Sequence, residues 1–224
     1  MIKKNKKLII IGNTSNARLA KYFFETDSDY EVTAFSVNEN YMTSQTFEGL
    51  PISPLEEIKT NYPPTEFDAF VAVGYNNMNK IRENLYNECK SKGYRMANYI
   101  SSHCSYLSQF RPGDNCFILE DNTIQPYVRI GNNVVLWSGN HIGHDVTIED
   151  HNFISSHVVV SGFVTIKRNC FIGVNATLRD AITIAPETLI AAGAIIMKDT
   201  VEKGVYLPAR STLFDKKSDE IKIS

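Results

Sequence analysis

The chain has 224 residues, enough for one or two domains, and its 23 Lys and Arg against 25 Asp and Glu leave a formal charge of −2, which argues against general nucleic-acid binding. The basic start, Met1 to Lys7, leads into an apolar run of only Leu8–Ile11, too short for a signal peptide or a membrane span. The four cysteines (Cys89, Cys104, Cys116, Cys170) show no CxxC pair and no metal-like spacing, so free thiols in a reduced cytoplasm are expected.

In chain order, Lys7–Ile11 reads as a buried strand ending at Gly12, Asn13–Asn16 as a polar turn, and Ala17–Glu25 as a helix with Leu19, Ala20, Phe23 and Phe24 on one side. Tyr30–Val37 is a second strand and Pro54–Lys59 a short helix. Ala69–Gly74 is another buried strand, Met78–Lys92 a helix and Arg95–Ile100 a last strand. This alternation predicts a small parallel sheet of Rossmann type over residues 1–100. Ligands of such sheets sit beyond the carboxyl ends of the strands. Those ends are Gly12-Asn13-Thr14-Ser15-Asn16, Asn38-Glu39 and Gly74-Tyr75-Asn76. The first is not a GxGxxG fingerprint; it suits a phosphate at a helix start or an ordinary capped turn equally well.

From Ile118 to Ile196 every sixth residue is aliphatic, fourteen times without a miss. Four residues after each lies a second small or apolar position, broken only at Asn122, Asn140 and Asn152. Six is neither the helical period nor a plain strand alternation. It fits a short strand, a bend and another short strand, repeated and stacked as a parallel β-helix. Pro112 and Glu202 end the series. The expected organisation is therefore 1–100 as a Rossmann-like unit, 101–117 as a connecting segment, 118–201 as the coil and 202–224 as a tail.

Four of the five histidines fall in the coil: His141, His144, His151 and His157. Eighteen residues beyond His144 is Gly162; with three hexads per turn, as in the hexapeptide-repeat coils this pattern resembles, a base stands beside a glycine that permits close approach. Asp145 could fix the ring tautomer. Solvated histidines on a sheet face are the alternative. Their gaps of three, seven and six do not stack at eighteen, which disfavours a zinc ligand set.

The motifs Gly12 after the first strand, AVGYN at Ala72–Asn76, HIGHD at His141–Asp145, SGFVTI at Ser161–Ile166 and AAGAIIMKD at Ala191–Asp199 together resemble the bacterial nucleotide-sugar acyltransferases of the left-handed β-helix class. These include N-acetyltransferases of nucleotide-linked 4-amino-4,6-dideoxy sugars and sialic-acid O-acetyltransferases. The resemblance implies a left-handed coil, a cytoplasmic homotrimer, and acetyl-CoA as co-substrate in the groove between subunits, with no metal. It implies His144 and Asp145 as the catalytic pair and Gly162 as the amide on the thioester carbonyl. Ala192, Gly193, Lys198 and Pro208 would line the coenzyme. The nucleotide sugar would bind at Gly12, Asn13, Thr14, Ser15, Asn16, Asn38, Gly74, Tyr75 and Asn76, with O-antigen, capsule or glycan synthesis as the setting. An O-acetyltransferase and a non-catalytic trimeric binding protein remain the other readings. The chain departs from the family at Ser15 and Asn16, where Gly-His is common, at Asp145 for Glu, at Phe153 for a second histidine, and at Ala192 for glycine.

Overall fold

The computed structural model describes residues 3–213 and 215–221. The first hundred residues form an α/β unit. Strand β1 (Lys6–Ile11) leads to helix α1 (Ser15–Asp27), strand β2 (Tyr30–Val37), a hairpin of β3 (Thr46–Phe47) and β4 (Leu50–Pro54), a one-turn helix α2 (Ile58–Asn61), strand β5 (Phe67–Val71) and helix α3 (Lys80–Ser91). The sheet order is β3-β4-β2-β1-β5, parallel except for the hairpin. Leu8, Ile9, Ile10 and Ile11 are all buried because both faces of this sheet are covered.

Three details differ from the sequence expectation. The helix expected at 54–59 starts later, because Ile52, Ser53 and Pro54 pair with Phe35, Ser36 and Val37 of β2. The helix expected from Met78 starts at Lys80, because Asn77, Met78 and Asn79 all hold positive φ and form a left-handed turn. The strand expected at Arg95–Ile100 does not complete the sheet. Met96 only bridges Ala69, and Tyr99–Ile100 crosses over to pair with Phe117–Ile118.

That crossing begins the coil. Its first face stacks Tyr99–Ile100, Phe117–Ile118, Val135–Leu136, Phe153–Ile154, Phe171–Ile172, Leu189–Ile190 and Val205–Tyr206. The second stacks Ser105–Tyr106, Thr123–Ile124, His141–Ile142, Val159–Val160, Thr177–Leu178 and Ile195–Ile196. The third stacks Arg129–Ile130, Thr147–Ile148, Thr165–Ile166 and Thr183–Ile184. Within the hexad series partners are 18 residues apart, as in Ile118↔Leu136↔Ile154↔Ile172, so three hexads close one turn. The segment 101–117 thus carries part of a first turn rather than a bare connection. Ile100 and Tyr106 keep the six-residue phase that Pro112 interrupts. At the other end Val205–Tyr206 extends the first face past residue 201.

The prism is filled by its two inward registers, including Ile118, Val128, Ile142, Val158, Ile172 and Ala176, all fully buried. The three asparagines that break the second register are buried and bonded. Asn140 donates to the Trp137 carbonyl and accepts from Val158 N–H, and Asn152 likewise joins the Glu149 carbonyl to Cys170 N–H. A buried amide is tolerated where it meets backbone groups a corner leaves free.

The first face also carries the α/β unit. Phe117, Leu119, Val135 and Phe153 share one apolar cluster with Leu8, Ile10, Phe24, Phe35 and Phe70. Beside it Arg82 of α3 is wholly buried, donating to the carbonyls of Asn133 (2.5 Å), His151 (3.1 Å) and Asn152 (3.3 Å). Its burial pulls the guanidinium down to about 9. Glu83, next in sequence, accepts from Arg168 and Asn169 and lies 3.6 Å from His151 Nε2.

Candidate active site

His144 sits at the corner between the second and third faces, opposite the face that carries the α/β unit. Its backbone N–H donates to Gln125 Oε1 of the turn below (2.9 Å), and its Nδ1 meets Asp145 Oδ2 at 3.0 Å. With the proton of Nδ1 engaged by the carboxylate, Nε2 is left as the proton acceptor. Both side chains are about half exposed, at 51% and 41%.

Gly162 lies directly above. A Cβ on it would come within 2.9 Å of both Cε1 and Nε2 of His144, so only glycine admits the ring. The carbonyl of Gly162 accepts from Ala181 N–H, whereas its own N–H makes no backbone hydrogen bond among the described residues. Gly143, in the middle of HIGHD, keeps that amide open. A Cβ there would stand 2.7 Å from the Gly162 nitrogen. The corner thus sets an imidazole, a tautomer-fixing carboxylate and a bare amide side by side. Gln125 and Gly143 were missed from sequence; Gly143 was legible in the motif, Gln125 only through the stacking.

The candidate coenzyme residues divide between two corners. Lys198 is exposed on the His144 corner, three turns above it. Ala192 and Gly193 lie on the corner between the first and second faces, with Pro208 at 4.0 Å from where a Gly193 Cβ would stand. Gly173 lies beneath Ala192 as Gly143 lies beneath Gly162, 2.5 Å from the nitrogen by the same construction, and Ala192 N–H likewise makes no backbone bond among the described residues. The second face spans the two corners and carries exposed Val159 and Ile195.

Gly12, Asn13, Thr14, Ser15, Asn16, Asn38, Gly74, Tyr75 and Asn76 all line one cavity of about 600 Å³ at the carboxyl ends of the strands. Gly12 has φ +132° and would bring a Cβ within 3.1 Å of the Ala72 carbonyl, so the turn demands glycine. Helix α1 opens onto this cavity with no side-chain cap and no acidic residue in its first turn. Tyr75 is braced by Phe153 (5.0 Å) and Phe171 (4.6 Å) of the coil. The position where a second histidine was absent from the sequence is therefore a structural aromatic. Within one chain, this cavity and the His144 corner lie on opposite sides of the prism.

Burial pushes all four thiols up, Cys116 and Cys170 to about 12 and Cys104 to about 11, so none is poised as a nucleophile. Among the described residues no group of three His, Cys, Asp or Glu is arranged to hold a metal ion, and no helix is long and apolar enough to cross a membrane.

The model for the bacterial transferase hexapeptide (six repeats) matches residues 127–162, which include the His144 corner. Three solved structures are similar over nearly the whole chain. The acetyltransferase domain of PglB from Neisseria gonorrhoeae FA1090 is 20% identical with a TM-score of 0.80, covering 92% of this chain and 100% of that one. PerB from Caulobacter crescentus, solved with CoA and GDP-perosamine, is 19% identical with a TM-score of 0.76, covering 89% and 92%. WeeI from Acinetobacter baumannii AYE is 16% identical with a TM-score of 0.76, covering 90% and 96%. These likenesses establish the fold: a Rossmann-like α/β domain followed by a left-handed parallel β-helix of hexapeptide repeats.

Proposed function

We propose that this protein is an acetyl-CoA-dependent N-acetyltransferase acting on the amine of a nucleotide-linked 4-amino-4,6-dideoxy sugar, and that it works as a cytoplasmic homotrimer. The observation that carries the reading is the His144 Nε2 edge against Gly162, with its unengaged N–H. The similar PerB structure, solved with CoA and GDP-perosamine, supports the substrate classes. The uncapped start of α1 and the cavity around it support a nucleotide diphosphate there. The separation of cavity and His144 within one chain supports assembly, since a neighbouring copy can bring its cavity to this corner.

In the proposed reaction the free amine attacks the thioester carbonyl, and His144 Nε2 takes the proton the nitrogen must lose. The Gly162 N–H donates to the oxyanion as the carbonyl becomes tetrahedral. Collapse breaks the C–S bond, and the proton passes from the imidazolium to the departing thiolate, giving amide and free CoA. Asp145 holds the ring and steadies its charged form. General-base help of this kind is worth about 10²–10⁴ in rate, and joining two large substrates supplies much of the rest.

The test is thiol release with acetyl-CoA and UDP-, dTDP- and GDP-linked 4-amino sugars side by side. His144→Ala should lower turnover at least about a hundredfold while acetyl-CoA still binds. An unchanged rate removes His144 from the reaction, and a base-labile ester product in place of an amide reassigns the acceptor.

A further inference from the structure

The coil corners share one backbone demand. Every sixth residue from Asn115 to Gly193 holds positive φ, because each corner turns through the left-handed region. That region suits Gly, Asn, Asp and, to a lesser degree, His, and penalises bulky side chains. Two corners respect it at every turn but Glu187. Asn115, Asn133, His151, Asn169 and Glu187 occupy one, and Asp121, Gly139, His157, Asn175 and Gly193 another. The corner that carries His144 is different: Tyr127, Asp145, Phe163 and Ala181. Both aromatic residues among the fourteen positions are here, at φ 68° and 60°, one turn below and one turn above Asp145. Neither is drawn in by the core, since Tyr127 is 56% exposed and Phe163 59%. Phe163 meets the His144 ring edge-to-face, with centroids 4.9 Å apart and planes at 89°.

Large aromatic side chains in an unfavourable backbone conformation, without burial to favour them, stand on the corner of the one imidazole proposed to accept the acceptor's proton, Phe163 against its ring and Tyr127 one turn below. We propose that Phe163 and Tyr127 are specificity-determining residues that read the apolar substituent beside the reacting amine. The proposal rests on the acetyltransferase reading of this corner. Two turns of the coil set their Cα atoms roughly 10 Å apart, room for a pyranose ring edge between them. A sugar aminated at C4 carries its C6 group on the adjacent C5. With a methyl at C6 that neighbour is apolar and packs on aromatic carbon; with a hydroxymethyl, its hydroxyl loses water against the Phe163 ring, which offers no partner, while Tyr127 adds aromatic carbon below. The corner therefore selects 6-deoxy over 6-hydroxy acceptors.

The experiment compares wild type, Phe163→Asn and Tyr127→Asn on matched 6-deoxy and 6-hydroxy nucleotide-linked 4-amino sugars. Asparagine is the residue other corners use, so both variants should melt at or above the wild-type temperature. The wild type should prefer the 6-deoxy acceptor at least about tenfold in kcat/KM, and the preference should shrink severalfold in each variant with the KM for acetyl-CoA unchanged. An undiminished preference in folded variants overturns the inference while leaving the acetyltransferase reading intact. A rise confined to the acetyl-CoA KM also overturns it and assigns the rings to the donor. A wild type that turns over no amino-sugar nucleotide sinks both.

Discussion

The coil and the α/β unit bury apolar residues by opposite means. In the coil each strand contributes two residues, and the next strand of a face lies 18 residues on, so position in the repeat decides what a side chain does. In the α/β unit strands of five to eight residues pair with a register shift between Leu8 and Ile9, a hairpin and a left-handed turn, and no position repeats. A repeat makes its exceptions visible. His144, Gly162 and Phe163 stand out because neighbouring turns show what the corner otherwise holds. An irregular unit reveals its site only by what its strand ends enclose.

The contrast can be broken at its centre. Ile154→Ala, in the middle of the coil core, should cost about 3–4 kcal/mol, because the rungs above and below hold the cavity open. Chemical denaturation would measure it, and a loss below about 1 kcal/mol would mean that the stack collapses onto gaps. The joint between the two regions is the next test. Arg82→Met removes the cation and leaves the Asn133 and His151 carbonyls without their donor, Asn152 keeping the Val135 N–H, an expected loss of about 2–3 kcal/mol. If the regions melt as one in the wild type, the variant should split the calorimetric transition into two.

The smallest effect sharpens the same joint through pH. Burial lowers the His151 imidazole below its ordinary value, against the pull of Glu83 and Asp150 and with Arg82 and Arg168 also near. Burial alone would raise the Glu83 carboxyl, but Asn169, His151, Lys80 and Arg168 hold it down. Both folded values are depressed, so in both cases the unfolded chain binds protons first and stability falls as pH falls. The histidine acts below about pH 6.5 and the carboxylate below about 4.5. Melting temperature between pH 7.5 and 5.5 should therefore decline, and His151→Asn, a residue the corner accommodates, should flatten that decline. A slope unchanged in the variant would place the proton uptake elsewhere.

How much was legible follows the same division. The six-residue phase pointed to a stacked coil; the eighteen-residue turn came with the family resemblance, and with it the count that sets Gly162 over His144, which the strand pairing then matches. The phase also ran through Ile100 and Tyr106, but Pro112 hid it and the start of the coil was read too late. The three strand-end turns did converge on one cavity, as parallel-sheet geometry requires. The hairpin at Thr46–Pro54 escaped because Glu48-Gly49 reads as a turn only once Ile52 is known to pair with Phe35. Gln125, Phe163 and Arg82 act across turns or between regions, through contacts that sequence periodicity does not encode.

The segment between the two regions also closes the coil from beneath. Leu107 N–H donates to the Ile124 carbonyl, Ser108 Oγ to Val128 and Gly113 N–H to Ile130, while Arg129 lies over the Phe110 ring at 3.6 Å. An open end of stacked parallel strands is a template for the next molecule, and prisms joined end to end would grow into fibres. Here the carbonyls of Ile124, Val128 and Ile130 already have their donors, so the lower end of the coil offers no free edge on that side for a second copy to continue.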